Sequence, residues 1–158
     1  MNPAVPASLS MRRRGPAAAS LALALALLGA PALAAGPSLT ISHQWIRFLT
    51  PRIPAAGYFT LSNGTGHPVV LTGAASSDCG QLMLHRSMEK NGMAEMAMVP
   101  AITVPAHGSV TFRPGGYHLM CMSPSAAIQP GRHMPVSLRF KDGESLSVDF
   151  PVYGATGK

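Results

Sequence analysis

The sequence is poor in charge, in aromatic residues and in cysteine. Only 11% of its 158 residues are charged, 6% are aromatic, and the two cysteines are Cys79 and Cys121. They lie too far apart to form a C-x-x-C or C-x-x-x-C pair, which excludes the dithiol motif of thiol reductases. The chain also contains no nucleophile elbow and no spacing typical of a catalytic carboxylate pair. We therefore expect a protein that is not an enzyme.

The first 34 residues have the pattern of a secretory signal peptide. The arginine run 12–14 precedes an Ala/Leu run, 17–28, and residues 32–34 form a small-x-small cleavage site. The alternative is an uncleaved membrane anchor, since residues 15–34 are nearly long enough to span a bilayer. The alanine richness and the Ala-x-Ala end favour cleavage, and a lipid anchor would need a cysteine at that point. We expect an exported protein, periplasmic in a Gram-negative host, with no membrane segment after cleavage near Ala34.

Residues 35–158 are expected to form one domain. Without the three leader arginines, nine basic residues stand against six acidic ones, a net charge of +3, which disfavours a nucleic-acid partner. The chain has 16 glycines and 15 prolines, yet 47% of its residues are apolar. This combination predicts a compact, turn-rich domain with a modest core rather than a disordered segment.

Short runs rich in β-formers alternate with turn signals along this domain, and no stretch shows a convincing helical period. Nine such runs predict strands, which indicates an antiparallel β-sandwich or a small barrel. The predicted strands are Leu39 to Trp45, Gly57 to Leu61, Val69 to Leu71, Leu82 to His85, Ile102 to Val104, Val110 to Arg113, Tyr117 to Met122, Val136 to Phe140 and Leu146 to Val152.

Methionine is unevenly distributed. Seven of the eight methionines after the leader fall between Met83 and Met122. Alternation along the predicted strand 117–122 puts His118, Met120 and Met122 on one face and the more aliphatic set, with Cys121, on the other. The strand 82–85 likewise presents Met83 and His85 on its less aliphatic side. Two strands thus each carry a histidine and a methionine on one face.

The segment 88–98, between these strands, carries four further methionines and a glycine. We expect a flexible loop that can fold a thioether over the two strand histidines. Thioether and neutral imidazole donors prefer Cu(I) to hard cations such as calcium or magnesium. Zinc is less suited, because its other usual ligands are cysteine or carboxylate. Methionine also keeps its donor in an oxidising compartment, where thiols are lost to disulfides.

The spacing of four of these residues resembles a family signature. His85, Met96, His118 and Met120 reproduce the H-x10-M-x21-H-x-M pattern of the periplasmic PCu(A)C copper chaperones. The surrounding sequence is similar as well, in Trp45-Ile46-Arg47, in Ala55-Ala56-Gly57-Tyr58 and in the run 114–120, so that the resemblance covers nearly all of the chain after the leader. No His/Met-rich tail follows Tyr153, which leaves a second, tail-borne copper site unsupported.

The resemblance implies a fold, a ligand set and partners. The fold would be a cupredoxin-like (Ig-like Greek-key) antiparallel β-sandwich, all-β and a single domain. One Cu(I) would be bound by His85, Met96, His118 and Met120 and delivered to respiratory oxidase copper sites, notably the Cu(A) site of cytochrome c oxidase. The partners would be a copper-accepting oxidase subunit and a thiol-type copper-assembly protein, and we expect a monomer.

Three alternatives remain open from the residues. The chain could sequester copper in resistance, it could be a cupredoxin-type electron carrier, or it could be a metal-free secreted β-domain that binds proteins. Blue-copper sites need a Cys thiolate with two His and an axial Met, and Cys121 lies next to His118 and Met120. Strand alternation turns Cys121 away from those two side chains, which disfavours an electron carrier.

The remaining candidate residues have less specific interpretations. The cysteines form either one disulfide or two buried thiols. Trp45 and Tyr58 are expected in the core, and Arg47 is expected to pair with a carboxylate or a loop carbonyl. Packing or exposure is the default interpretation of the methionines outside the motif, which are Met83, Met88, Met93, Met98 and Met122. The histidines near turns are expected at the surface: His43, His67, His107 and His133.

Overall fold

Buried and exposed side chains alternate along the strands, as expected for sheets that cover a core on one face. In the strand that holds Met134, Val136, Leu138 and Phe140, these four side chains are buried and most of those between them are exposed. The computed structural model describes residues 39–157. The predicted signal peptide, residues 1–34, lies outside them and stays a prediction.

Ten strands make up this part of the chain, and none of residues 39–157 is helical. The strands are β1 (Leu39–Arg47), β2 (Ala55–Asn63), β3 (Val69–Ala75), β4 (Cys79–Lys90), β5 (Met93–Met98), β6 (Ile102–Val104), β7 (Ser109–Phe112), β8 (Tyr117–Pro124), β9 (His133–Phe140) and β10 (Ser145–Tyr153). In the described residues there is accordingly no helix that could cross a bilayer. All nine predicted strands are present; the tenth, β5, lies in the segment for which we predicted a flexible loop, and that prediction was wrong.

The strands follow the hydrogen-bonded order β5-β4-β8-β7-β2-β1-β10-β9-β3-β6, with an additional pairing of β8 with β2. The first six form one layer of a sandwich and the last four form the other. Most neighbours are antiparallel, as predicted, but β1 pairs with β10 in parallel and β7 meets β8 in parallel at a single residue pair. The β1–β10 pairing carries the hydrogen bonding from one layer to the next, so that neither strand ends as an open edge.

Aromatic side chains fill the space between the layers. Phe59 of β2 stacks on Phe112 of β7 at 4.1 Å between ring centroids and meets Phe150 of β10 edge-on at 5.6 Å. All three are among the largest fully buried side chains. Of the aromatics predicted to lie in the core, Tyr58 is buried, whereas Trp45 is half-buried and packs against Tyr58 and Tyr153.

A glycine allows β2 to approach β8 closely. A Cβ atom on Gly57 would lie 3.0 Å from Ile46 Cδ1 and 3.1 Å from Leu119 Cβ, which is too near for an ordinary contact. Gly57 pairs with Leu119 in the sheet, and because glycine has no side chain, β8 can pack closely against β2 at this point. The position of β8 determines where two of the four motif residues lie.

The cysteines form a disulfide, which settles the alternative left open by the sequence. Cys79 at the start of β4 is joined to Cys121 in β8, with Cα atoms 5.4 Å apart and a sequence separation of 42 residues. The bridge lies on the core side, where Cys79 Sγ is 3.8 Å from Met134 Sδ. It ties together the two strands that carry the predicted histidine ligands.

Candidate metal centre

The two motif histidines are direct neighbours across two strands. In the antiparallel β4–β8 pair, His85 lies opposite His118 and Met83 lies opposite Met120. The positions between them, Leu84 opposite Leu119 and Leu82 opposite Cys121, are buried in the core. This confirms the prediction that each strand presents a histidine and a methionine on one face. The ring centroids of the two histidines are 5.9 Å apart.

The ring of His118 is held by a backbone carbonyl. Its side chain is 5% exposed, and its Nδ1 lies 3.1 Å from the carbonyl oxygen of Gly116, which also accepts a hydrogen bond from the Ser87 amide at 3.0 Å. Since a carbonyl only accepts, Nδ1 carries the proton and donates it there. The other ring nitrogen, Nε2, is then the one with a free lone pair, the usual arrangement of a metal-binding histidine.

His85 has a buried nitrogen without a partner. Its Nδ1 is shielded from solvent and makes no hydrogen bond within the described part of the chain, an uncommon state for a buried polar atom. Burial lowers the pKa of His85 below the ordinary histidine value of 6.5, and the neighbouring His118 lowers it further. Both effects disfavour the charged ring and favour the neutral imidazole that metals bind. An ion would supply the missing partner.

The two motif methionines adjoin His118 around one cavity. Met96, His118 and Met120 all line a cavity of about 360 Å³, whose lining also includes Ile53 and Pro54. Met120 is half-buried, whereas the side chain of Met96 is 58% exposed. His85 is not among the lining residues and adjoins the cavity through its neighbour His118. The four motif residues therefore lie on one face of the neighbouring strands β5, β4 and β8, and Met96 is the most accessible of them.

The segment predicted as a loop is a β-hairpin. Strand β4 continues to Lys90, Asn91 and Gly92 form the turn with φ values of 54° and 75°, and β5 returns alongside β4. Asn-Gly is a preferred pair for a two-residue hairpin turn, because both positions need positive φ. That pair was a signal in the sequence that the prediction missed. The hairpin places Met96 opposite Ser87, one diagonal step from His85.

Sequence reasoning also missed two features of the site. The residue directly opposite His85 on β5 is Met98, to which the motif assigns no role. Arg47, for which we predicted pairing with a carboxylate or a loop carbonyl, lines the same cavity, with its guanidinium carbon 5.9 Å from the centre of the Tyr58 ring. Burial raises the pKa of Tyr58, and the charge of Arg47 opposes that rise. Tyr58 thus remains a neutral ring under the guanidinium.

The donor atoms on this face, imidazole nitrogen and thioether sulfur, are all uncharged. Within residues 39–157 there is no group of three or more His, Cys, Asp and Glu side chains that could hold a metal ion. An ion between His85 and His118 would therefore complete its shell with thioether sulfur, which suits Cu(I) and not a hard cation. Cys121 is 1% exposed and bonded to Cys79, so it offers no thiolate to this face.

Residues outside the motif mostly lie where the sequence indicated. The histidines predicted at the surface are all exposed: His43, His67, His107 and His133. Among the other methionines, Met83 is half-buried and the rest are exposed, namely Met88, Met93, Met98 and Met122.

Solved structures with the same architecture identify the class of domain. The solution structure of apo-DR1885 from Deinococcus radiodurans is 30% identical, covers 99% of both chains and superposes with a TM-score of 0.58. The structure of CuI-DR1885 is 31% identical over 76% of this chain and 83% of that chain, with a TM-score of 0.57. The copper-bound PCuAC domain from PmoF2 shares the fold, with a TM-score of 0.62 at 24% identity over 75% of this chain and 94% of that one. The protein is a PCuAC-type domain with a cupredoxin-like fold.

The family follows from the sequence match. The model of the LpqE-like lipoprotein family matches residues 39–152, and the chain belongs to this family, which is of the PCuAC type. The "Putative lipoprotein Lxx21020" of Leifsonia xyli subsp. xyli is 32% identical over 118 residues, which is 74% of this chain and 70% of that protein. The predicted family and fold class are thereby confirmed.

Proposed function

We propose that this protein is an exported copper chaperone that binds one Cu(I) through His85, Met96, His118 and Met120. The observation that carries the proposal is the cross-strand pair of imidazoles, His85 opposite His118, on a face whose other donors are thioethers. His118 has its ring oriented by Gly116, and His85 has a buried nitrogen without a partner. This arrangement is ready to accept an ion with little rearrangement of the two strands.

The charge of the donor set favours the monovalent ion. Four neutral ligands leave the charge of Cu(I) at +1, whereas Cu(II) would place two uncompensated charges beside Arg47. Thioether sulfur is also a soft donor, and this adds to the preference for Cu(I). The structure of CuI-DR1885, a protein 31% identical to this chain, supports the same metal here.

Accessibility supports transfer rather than permanent storage. Met96 is 58% exposed and lies on a two-stranded hairpin, so that it can be replaced by a ligand from an acceptor without unfolding the sandwich. Uncharged ligands leave without taking up a proton, which keeps the exchange simple. We propose that the acceptor is a respiratory oxidase copper site, Cu(A) or a related one. The electron-carrier alternative lacks its thiolate, because Cys121 is in the disulfide.

The disulfide supports the proposed export. Structural disulfides persist in oxidising compartments and are rare in the cytosol, where thiols are kept reduced. Together with the signal-peptide pattern of residues 1–34 and the lipoprotein names of the family, the Cys79–Cys121 bridge favours a periplasmic or cell-surface location.

The test is an anaerobic Cu(I) titration of residues 35–158 in competition with a Cu(I) chelator. We expect one tightly bound equivalent for the native sequence and an affinity at least tenfold lower, about 1.4 kcal/mol or more, for His118→Ala/Met120→Ala. A matched control is His133→Ala/Met93→Leu, which removes one exposed histidine and one exposed thioether elsewhere. Equal affinities in the native protein and the site variant would contradict the assignment.

A further inference from the structure

We propose that Met83 and Met98, together with His85, form a second position for a soft monovalent ion, through which Cu(I) enters and leaves the four-donor site. The proposal rests on the proposed function, because the second position shares His85 with the first. Neither methionine belongs to the H-x10-M-x21-H-x-M pattern. Both lie on the sheet face that carries the motif residues.

Strand register brings these two thioethers to His85. Met98 lies directly opposite His85 in the β4–β5 pair, closer in register than Met96, which lies opposite Ser87. Met83 precedes His85 by two residues on β4 and therefore shares its face. Directly opposed residues have Cβ atoms about 5 Å apart, well within the reach of a methionine side chain. His85 is thus flanked by one sulfur across the strand and one along it.

A separate cavity contains both side chains. Met83 and Met98 line a cavity of about 210 Å³, distinct from the 360 Å³ cavity that Met96, His118 and Met120 share. Met98 is 66% exposed and Met83 is half-buried; His85 itself does not line this cavity and adjoins it through the register of these two residues. In the strand register, Met83 of the smaller cavity lies opposite Met120 of the larger one, and Met98 lies opposite His85. An ion held by Met98 would already be next to the first ligand of the main site.

The proposed exchange moves Cu(I) between ligands without any other chemical change. Two thioethers and one imidazole form a three-coordinate neutral donor set of the soft type that Cu(I) accepts. The ion keeps its bond to His85 while bonds to Met83 and Met98 break and bonds to His118, Met96 and Met120 form, with no proton moved and no change of oxidation state. His85 is suited to serve both positions, since its Nδ1 has no hydrogen bond in the described residues that must be broken.

A nearby cation keeps the second position weak. Arg139 also lines the 210 Å³ cavity, and its guanidinium lies over Gly73. Repulsion between this charge and a monovalent ion lowers the affinity at Met83 and Met98 relative to the four-donor site. A position used for transit must release the ion more easily than the final one, and this charge acts in that direction.

The experiment uses Ag(I), a soft ion that does not change its oxidation state here, and methionine labelled with ¹³C at the ε-methyl. In the His118→Ala/Met120→Ala background we expect weak binding of one Ag(I), with shifts of the Met83 and Met98 methyl signals. Adding Met83→Leu/Met98→Leu should abolish that binding. Adding Met88→Leu/Met93→Leu should not, because these residues lie on the opposite face of the hairpin. Leucine nearly conserves the volume of methionine, so folding is retained.

A rate measurement completes the test with the main site intact. Met83→Leu/Met98→Leu should leave the equilibrium Cu(I) affinity unchanged and slow the transfer of Cu(I) to a chelator, relative to Met88→Leu/Met93→Leu. Unmoved Met83 and Met98 signals, or equal residual binding with either added pair, would overturn the second position. Wild-type affinity in the His118→Ala/Met120→Ala variant would instead overturn the proposed function, so the two failures are distinguishable.

Discussion

Among single residues, the two histidines of the site are prepared for an ion in different ways. The ring of His118 is oriented by a hydrogen bond to Gly116, whereas His85 lies half-buried with an unpartnered Nδ1 in the described structure. Burial and the neighbouring ring lower the pKa of His85 from 6.5. The orientation of one ring and the neutrality of the other both favour metal binding over hydrogen bonding within the protein.

The lowered pKa of His85 predicts how the stability of the metal-free protein depends on pH. In the unfolded chain His85 takes up a proton below about pH 6.5, but in the folded protein it does so only at lower pH. Its contribution to stability is therefore complete above pH 6.5 and declines as the pH falls through the folded pKa. Urea denaturation at pH 7.5 and pH 5 should show a loss in acid that is smaller in His85→Gln.

The control for this prediction is His133→Gln, which alters an exposed histidine on β9. It should preserve the acid loss of the native protein. An identical pH dependence in His85→Gln and in the native sequence would contradict the role given to His85. In the copper-loaded protein the same shift implies that protons compete for His85 only at a pH below that of an ordinary imidazole.

Among the strands, the β4–β5 hairpin decides where the third motif residue lies. The turn needs positive φ at Asn91 and Gly92, and the pairing that follows sets Met96 against Ser87 and Met98 against His85. A slip of one residue would move every methionine of β5 to the other face. The turn residues therefore govern the donor set, although neither of them can bind copper itself.

Gly92→Ala tests this role of the turn. Alanine at a left-handed position costs on the order of 1–2 kcal/mol, and the hairpin has few buried contacts to offset that cost. We expect faster amide hydrogen exchange in β5 and weaker Cu(I) binding, since Met96 is no longer held in register. The matched control is Gly92→Asn, because asparagine tolerates positive φ and should retain both properties. Equal copper affinity in Gly92→Ala and Gly92→Asn would show that the hairpin does not position the ligand.

At the scale of the whole molecule, the disulfide and the core fix the positions of the two strands that carry the site histidines. The bridge joins β4 to β8 on the core side, opposite the face that carries His85 and His118. It spans 42 positions in sequence, and cross-links over loops of this order typically contribute about 2–4 kcal/mol by restricting the unfolded chain.

Cys79→Ala/Cys121→Ala should therefore lower the free energy of unfolding by about 2–4 kcal/mol while leaving Cu(I) stoichiometry unchanged. The stability is measured by urea denaturation and the stoichiometry by anaerobic titration. In the native protein, thiol counting after denaturation should find free thiols only when a reductant has been added. Loss of copper binding in a folded double variant would show that the bridge shapes the site as well as the stability.

The local sequence pattern was enough to predict the strands of this protein and the faces on which its main candidate ligands lie. Alternation along single strands placed His118 and Met120 on one face and Cys121 on the other, because successive side chains of a strand point to opposite sides whatever the partner strand is. Runs rich in β-formers between turn signals located the nine strands that the sequence predicted. The spacing of His85, Met96, His118 and Met120 carried the resemblance to the family that the comparisons confirm.

Only the tertiary structure decided which side chains meet. The disulfide, the direct opposition of His85 and His118, and the approach of Arg47 to Tyr58 join residues that are distant in the chain. Their meeting depends on strand order and register, which follow from packing of the whole core and from turns such as Asn91-Gly92. A single strand determines which face a side chain occupies, but its neighbour on that face is set by another strand.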